Sequence, residues 1–488
     1  MLYLVFGLYL AGLIVITAYT AKSSHNSSDF ILGGKQLSGV SLALSERATG
    51  ESAWLLLGLT GEAYLLGMQA VWVALGCVAG VLFIWFVMGE RLQLERERTG
   101  ALTVSSLLAK KFPGAERTIG TLSASIIVFF FLFYVEAQFY GGGKVLYNTF
   151  GLNPLWGVVI GSLIVVGYSM LGGFITVVFT DVLQAVLMII TLILLPVLLL
   201  FIAADKNINI SLAIMNAGVE YSSLNAGKTG AAGVMLALSG LSWALGYTGQ
   251  PQLLTRMMAI RDKKEVKAAK WVAAGWTVLA YGGALLIGLI GYAFVQGGVL
   301  PAESVARLSD AKNSGSELIL PVLINFFVTP VIGGVLLCGA ISAMMSTASS
   351  EILVSSSSVT EDIYGNYSKR KMTPGQSLGF NRWVTLAFGL AALVMALTVS
   401  DSVYGLVSYA WSGIGSSFGP ALILLLYWKK LSRAGVLASL VCGTAGTIIW
   451  KTWLVAASGG ISERLASFAF AFLMAVLFSC LYPEKTGK

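Results

Sequence analysis

The chain has 488 residues, of which 57% are hydrophobic and only 11% charged. A soluble domain carries about 25% charged residues, so this composition excludes a soluble globular protein. The net charge of +8 does not point to nucleic acid, because the basic residues collect in alternate loops between apolar runs.

Runs long enough to cross about 30 Å of hydrocarbon recur from end to end. Thirteen candidate spans fall at 2–20, 40–67, 70–89, 119–148, 155–173, 181–203, 232–257, 270–296, 319–358, 380–399, 403–428, 434–454 and 463–481. The first lacks a basic leader and a small-residue cleavage site, so it reads as a span and not a signal peptide. Segment 91–118 is a charged, partly helical loop, and 204–231 and 297–318 are polar loops on the other side. The whole of 1–488 therefore reads as one all-α polytopic membrane domain.

One side collects Lys22, Lys35, Arg91, Arg96, Arg98, Lys110, Lys111, Arg117, Arg256, the basic run from Arg261 to Lys270, Lys369 to Lys371, Arg382, Lys429, Lys430, Arg433, Lys485 and Lys488. The other keeps Lys144, Lys206, Lys228, Arg307, Lys312, Lys451 and Arg464. The positive-inside rule then puts the C-terminus in the cytoplasm and, with thirteen spans, the N-terminus outside, in the plasma (inner) membrane. Cys77, Cys338, Cys442 and Cys480 lie in apolar segments without pairing or metal spacing and read as helix-packing residues.

Two spans are interrupted. The second carries Ser45-Glu46-Arg47-Ala48-Thr49-Gly50-Glu51-Ser52, and the seventh carries Gly246-Tyr247-Thr248-Gly249-Gln250-Pro251. Irregular backbone at membrane depth survives only where it is buried in protein or lines a cavity. The breaks are five spans apart. That predicts two five-helix halves of inverted topology, 40–203 and 232–428, with 1–39 and 429–488 peripheral. An ordinary kink is the alternative for each break taken alone.

The ninth span carries Ala343-Met344-Met345-Ser346-Thr347-Ala348-Ser349-Ser350. A sodium ion takes oxygen ligands. Ser346 and Thr347 offer two adjacent hydroxyls, and the Ala343 carbonyl sits one turn before Thr347. A break at 48–51 would free further carbonyls, and Asp181 could serve a second ion or a proton. Close helix packing with interhelical hydrogen bonds explains the same hydroxyls without an ion. Glu136 reads either as counter-ion or proton carrier, or as paired with Lys144 or Arg47. Glu51 reads either as functional or as an acid facing its own broken backbone. Glu46 and Arg47 are expected to pair or to face the vestibule, Glu62 and Glu351 to face a cavity or be hydrogen-bonded, and the loop residue His25 to be inert.

The elements Asp29-Phe30-Ile31-Leu32-Gly33-Gly34, Trp54 to Leu59, Leu171-Gly172-Gly173-Phe174 with Thr180-Asp181, Trp243 to Pro251, Met345-Ser346-Thr347, Thr360-Glu361-Asp362 and Gly405 to Trp411 carry a resemblance. In order and spacing, from about residue 28 to 450, the chain resembles the sodium/solute symporter family, nearest the bacterial sodium/proline symporters. The resemblance implies a LeuT-type core of two inverted five-helix repeats with about 13 transmembrane helices, one before the core and two after. It implies uptake driven by inward sodium. Its sodium site would use the carbonyls of Ala48, Glu51 and Ala343 and the hydroxyls of Ser346 and Thr347, with Asp181 linked to a second ion route. Ser52 matches a serine needed near the first break. Trp54, Tyr134, Trp243, Tyr247 and Pro251 would line the substrate pocket, with Glu136 and Gln138 beside Tyr134. The chain departs from the proline branch at Gly50, where that branch has an aspartate, at Glu51, Glu136 and Gln138, and at Glu351, which replaces an amide.

The expected function is sodium-coupled symport of a small amino acid, with proline the leading candidate. The alternative is a proton- or sodium-coupled carrier of a cationic substrate such as a basic amino acid or polyamine. No catalytic dyad, nucleotide loop or metal cluster points to an enzyme. No segment follows the last span that would serve a sensor as output domain, and a channel would lack gradient-driven accumulation. The expected partners are the small-molecule substrate and membrane lipid, with no nucleic acid and no obligate protein partner.

Overall fold

Hydrocarbon leaves a backbone no water to bond with, so a spanning chain must satisfy its own N–H and C=O groups, and helices do so. The structure, a computed structural model, describes residues 1–23, 27–368, 372–398, 401–458 and 461–484. Among these there are helices and connections but no strand. His25, Lys369, Arg370, Lys371, Lys485 and Lys488 lie outside the described residues.

Among the described residues, eleven helices are long and apolar enough to cross a membrane. Two of them are too long for one crossing. The 51-residue stretch Leu155–Asp205 would run about 76 Å at 1.5 Å per residue, and it breaks at Gly173, where φ is +65° and ψ −162°. Gly39–Thr99 breaks at Gly67, φ +65°. Dividing these two gives thirteen segments. In chain order they are α1 (Leu2–Thr20), α2 (39–66), α3 (70–99), α4 (Glu116–Phe150), α5 (154–172), α6 (174–205), α7 (230–259), α8 (Lys263–Gln296), α9 (Pro330–Tyr367), α10 (Pro374–Thr398), α11 (Val403–Tyr427), α12 (Arg433–Leu454) and α13 (Glu463–Leu481).

Three expectations need correction. The ninth span does not run from 319 to 358. Ile319–Phe327 is a separate helix, the chain extends at Val328 and Thr329, and Pro330 starts α9 at a first-turn position, where a missing N–H costs nothing. The break in α2 does not lie at 48–51. The helix runs on to Ser52, which alone leaves helical geometry at φ +45°, ψ −172°. Arg256 is not a loop cation: it lies in the last stretch of α7 and is fully buried.

The layers follow burial. In α9, 83% of the most apolar 18-residue stretch lies inside the protein, against 17% in α1. So α1 is a lipid-facing outer helix, with Leu4, Leu8, Ile14 and Val15 exposed, and α9 is the central one. Along it pack α5 and α6, α4 and the first half of α2. The helices α12 and α13 pack on each other and on α11. With no hydrophobic drive between helices in lipid, close approach at small residues supplies the packing energy.

The α7 break shows this most sharply. Between Tyr247 and Pro251 the chain leaves the helix, and Gly249 touches the α11 backbone. A methyl group there would sit 2.7 Å from the Gly419 nitrogen and 3.0 Å from the Gly415 oxygen. Neither backbone atom can rotate away, so Gly249→Ala is expected to destabilise the protein by about 1–3 kcal/mol. Heating the detergent-solubilised variant and reading its size-exclusion peak checks this. An unshifted melting temperature would mean that α7 and α11 are not in backbone contact.

Candidate functional site

The α2 break meets α9 in the interior, and the α7 break meets α11. On the α2 side, Ser346 Oγ donates to the Ala48 carbonyl at 3.0 Å and lies 3.1 Å from the Ala343 carbonyl. Thr347 Oγ1 donates to the Thr49 carbonyl at 2.8 Å. All of these residues are fully buried. The predicted ligands Ala48, Ala343, Ser346 and Thr347 are thus brought together, with Thr49 added. Uncharged oxygens from two helices converge here, which is a donor set suited to a bare monovalent cation. The Glu51 carbonyl accepts the Trp54 N–H across the break.

The side chain of Glu51 is committed elsewhere. Arg47 donates to both Glu46 and Glu51, and Tyr281 donates to Glu51. Trp85 Nε1 adds a bond to Glu46 at 2.9 Å. A buried charge with no partner costs several kcal/mol. Here two acids surround one arginine, and hydroxyl and indole donors fill the remaining lone pairs. Glu46 and Arg47 therefore pair as expected, inside the protein and not in a vestibule.

Asp181 also has a partner. Its Oδ2 takes Ser45 at 2.6 Å, Thr49 at 3.3 Å and Arg256 at 3.2 Å. Ser350 on α9 bonds both Thr49, at 2.9 Å, and Arg256. Thr49 therefore touches both layers, through its carbonyl to Thr347 and through its hydroxyl to Asp181 and Ser350. A reading of Asp181 as an open ion or proton site must contend with Arg256, which already supplies a cation. Sequence reasoning missed Arg256 because its place near a basic loop masked its burial.

Beyond the break, two predicted substrate residues cap the second half of α2. Ser52 Oγ accepts the Trp54 N–H at 3.0 Å, and Gln138 Oε1 accepts the Ala53 N–H at 2.9 Å. These are N–H groups that a helix start leaves free. Tyr134 Oη lies 3.5 Å from Ser52 Oγ.

The predicted aromatic residues do assemble. Trp54 lies 4.3 Å from Trp243 between ring centroids, and Trp411, which sequence reasoning did not place in the site, joins them. Its ring centroid is 6.2 Å from both Trp243 and Tyr134 and 4.8 Å from Tyr247. Tyr247 Oη shares a 2.7 Å hydrogen bond with Tyr281, so the box connects through Tyr281 to Glu51. Pro251 opens the last stretch of α7 just past the break.

Glu136 stands apart. It is two residues from both Tyr134 and Gln138, which places it about 200° around α4. It pairs with neither predicted cation: Lys144 binds Glu317 at 2.8 Å, and Arg47 holds Glu46 and Glu51. Its two oxygens make no hydrogen bond among the described residues. Glu351 is likewise buried with neither oxygen bonded among the described residues. Of the two expectations for Glu62 and Glu351, no hydrogen bond is formed by Glu351.

The model of the sodium:solute symporter family matches residues 30–443. The chain belongs to the sodium:solute symporter family. It is a transporter and not an enzyme, and sodium is its coupling ion. Among relatives of the family, the chain is 34% identical to the high-affinity proline transporter PutP of Bacillus subtilis, over 98% of this chain and 97% of the relative. It is 32% identical to the sodium/proline symporter of Escherichia coli K12, over 98% and 92%. Among solved structures, a sodium-coupled sialic acid symporter in a substrate-bound, outward-open state matches at a TM-score of 0.82 and 19% identity, covering 100% of this chain and 99% of that one. MhsT in complex with L-phenylalanine matches at 0.55 and 15% identity, over 90% and 98%. At these identities the structures establish the fold, which is the LeuT-type inverted repeat of the symporter family.

The Arg256–Asp181 pair gives a test of the layer beneath the clamp. Arg256→Gln leaves Asp181 buried without its cation and is expected to cost about 3–5 kcal/mol. The double variant Arg256→Met with Asp181→Leu removes both charges and should recover most of that loss. Thermal melts of the three proteins measure it. Additive losses in the double variant would show that the pair does not exist.

Proposed function

We propose that this chain is a sodium-coupled symporter that carries proline into the cell across the inner membrane, with its N-terminus outside and its C-terminus in the cytoplasm. Proline transporters and sodium/proline symporters of 32–34% identity over nearly the full length support the substrate. The observation that carries the reading is the clamp of Ser346 and Thr347 on the Ala48 and Thr49 carbonyls, directly behind the break whose far side carries Trp54. The sodium ion, a co-substrate, would exchange these hydrogen bonds for coordination by the carbonyls of Ala48 and Ala343 and the two hydroxyls. The Glu51 carbonyl would join once the break loosens its bond to Trp54.

The substrate would lie against Trp54, Tyr134, Trp243, Tyr247 and Pro251, with Ser52 and Gln138 holding the half-helix end behind it. Flat apolar walls suit the ring of proline. The five-helix halves would be 40–203 and 232–428. The α2 break is shared by the ion and substrate sites, so ordering by one ligand lowers the cost of binding the other, reciprocally. The cationic-substrate alternative rested on Glu51 and Glu136. Arg47 already neutralises the first, and the second lies off the aromatic box, so no observation favours it.

Proteoliposomes with an inward sodium gradient are expected to accumulate proline, while a proton gradient alone gives only background. Ser346→Ala and Thr347→Ala should each raise the sodium concentration for half-maximal uptake about tenfold or more, since each removes one charge-assisted ligand. Uptake without sodium, or an unchanged sodium dependence in both variants, would sink the assignment.

A further inference from the structure

The aromatic box has a wall that the ten-helix core does not supply. Arg464, in the first turn of α13, reaches inward until its guanidinium carbon lies 4.3 Å from the Trp243 ring centroid. The side chain is only 9% exposed. It donates to Ser408 on α11 and lies 3.4 Å from its neighbour Glu463. A guanidinium stacked on an indole keeps its N–H groups in its own plane, pointing sideways past the ring.

Around this stack three buried N–H donors have no acceptor: Trp54 Nε1, Trp243 Nε1 and Arg464 Nε. The Tyr404 hydroxyl lies near the Trp243 N–H. Buried donors are almost always satisfied, and three orphans on two tilted indoles 4.3 Å apart and the arginine over one of them call for a ligand that accepts several hydrogen bonds. A carboxylate accepts about four and matches an arginine fork. The acids around Arg464 do not fill this role. Glu463 is occupied by Ser408 and Ser412, each at 3.0 Å, and Glu62 on α2 bears on Arg464 only through its charge.

We propose that Arg464 binds the carboxylate of the transported amino acid, together with the indole N–H groups of Trp54 and Trp243. This rests on the reading of the chain as an amino-acid symporter and adds a recognition group from a helix outside the repeats. The bare amide of the same amino acid has lost the charge that Arg464 would meet, so the wild-type carrier should discriminate against it.

The experiment measures sodium-dependent uptake of labelled proline and its competition by unlabelled proline or prolinamide, in proteoliposomes of wild type, Arg464→Gln, Arg464→Lys and Trp54→Phe. In Arg464→Gln the proline concentration for half-competition should rise about ten- to a hundredfold, while that of prolinamide stays near its wild-type value. Arg464→Lys should keep part of the discrimination. Trp54→Phe, which keeps a ring and loses the N–H, should lose a smaller part. A strut that only packs α13 against α7 and α11 would weaken both ligands alike, so an unchanged proline-to-prolinamide ratio in Arg464→Gln and Trp54→Phe overturns the proposal. Should Arg464→Gln fail to fold, the ratio in Trp54→Phe and Arg464→Lys decides. If wild type takes up no proline with sodium, the substrate reading falls instead. The same ratio is then taken with whichever amino acid and amide sodium does drive.

Discussion

Breaking a helix inside a membrane frees backbone groups that only the protein can satisfy. Everything distinctive in this molecule follows from how it does so at Ser52. Upstream, the carbonyls of Ala48 and Thr49 take hydroxyls from α9. Downstream, the N–H groups of Ala53 and Trp54 take Gln138 and the serine's own hydroxyl. The strained φ of +45° at a residue other than glycine is held by partners on both sides. Such strain persists where surroundings over-determine it, and it concentrates at functional sites.

That arrangement makes α9 a sensor of the break. A cation entering between Ser346 and Ala48 would replace a direct interhelical bond with a shared ion. The layer below is locked to the same residues, because Thr49 and Ser350 tie α2 and α9 to the Asp181–Arg256 pair. Movement at the clamp therefore reaches a buried ion pair to which α7 contributes Arg256, in the helix that follows the other break. Glu51 links the remaining direction, through Tyr281 to Tyr247 in the aromatic box. Ion layer, salt-bridge layer and aromatic layer are joined by single hydrogen bonds through fully buried groups. Such networks have discrete arrangements and few intermediate ones.

The charged residues are economical in the same sense. Among Arg47, Arg256 and Arg464, each is buried, each meets a carboxylate, and each bridges two or more helices. Of these three, Arg464 alone keeps a buried N–H without a hydrogen-bond partner among the described residues, beside an indole whose own N–H has none. The other two close structural circuits, which is why the acids beside them, Glu51 and Asp181, are not open to a substrate charge.

The sequence by itself determined the helical membrane class, about thirteen crossings, the two breaks and the central place of Ser346 and Thr347. These depend on local quantities: run length against bilayer thickness, Gly and Pro with polar neighbours in apolar spans, and hydroxyls that lipid cannot satisfy. It also named the aromatic residues, through resemblance and not through periodicity. Only the tertiary structure decided which carboxylates meet a cation, that Arg256 is a core residue, that Glu136 pairs with neither Lys144 nor Arg47, and that Trp411 and Arg464 pack on Trp243. Pairing partners such as Asp181 and Arg256, or Trp243 and Arg464, are far apart in sequence. Whether a buried charge is paired or free is set by which helices touch, and no single helix carries that information.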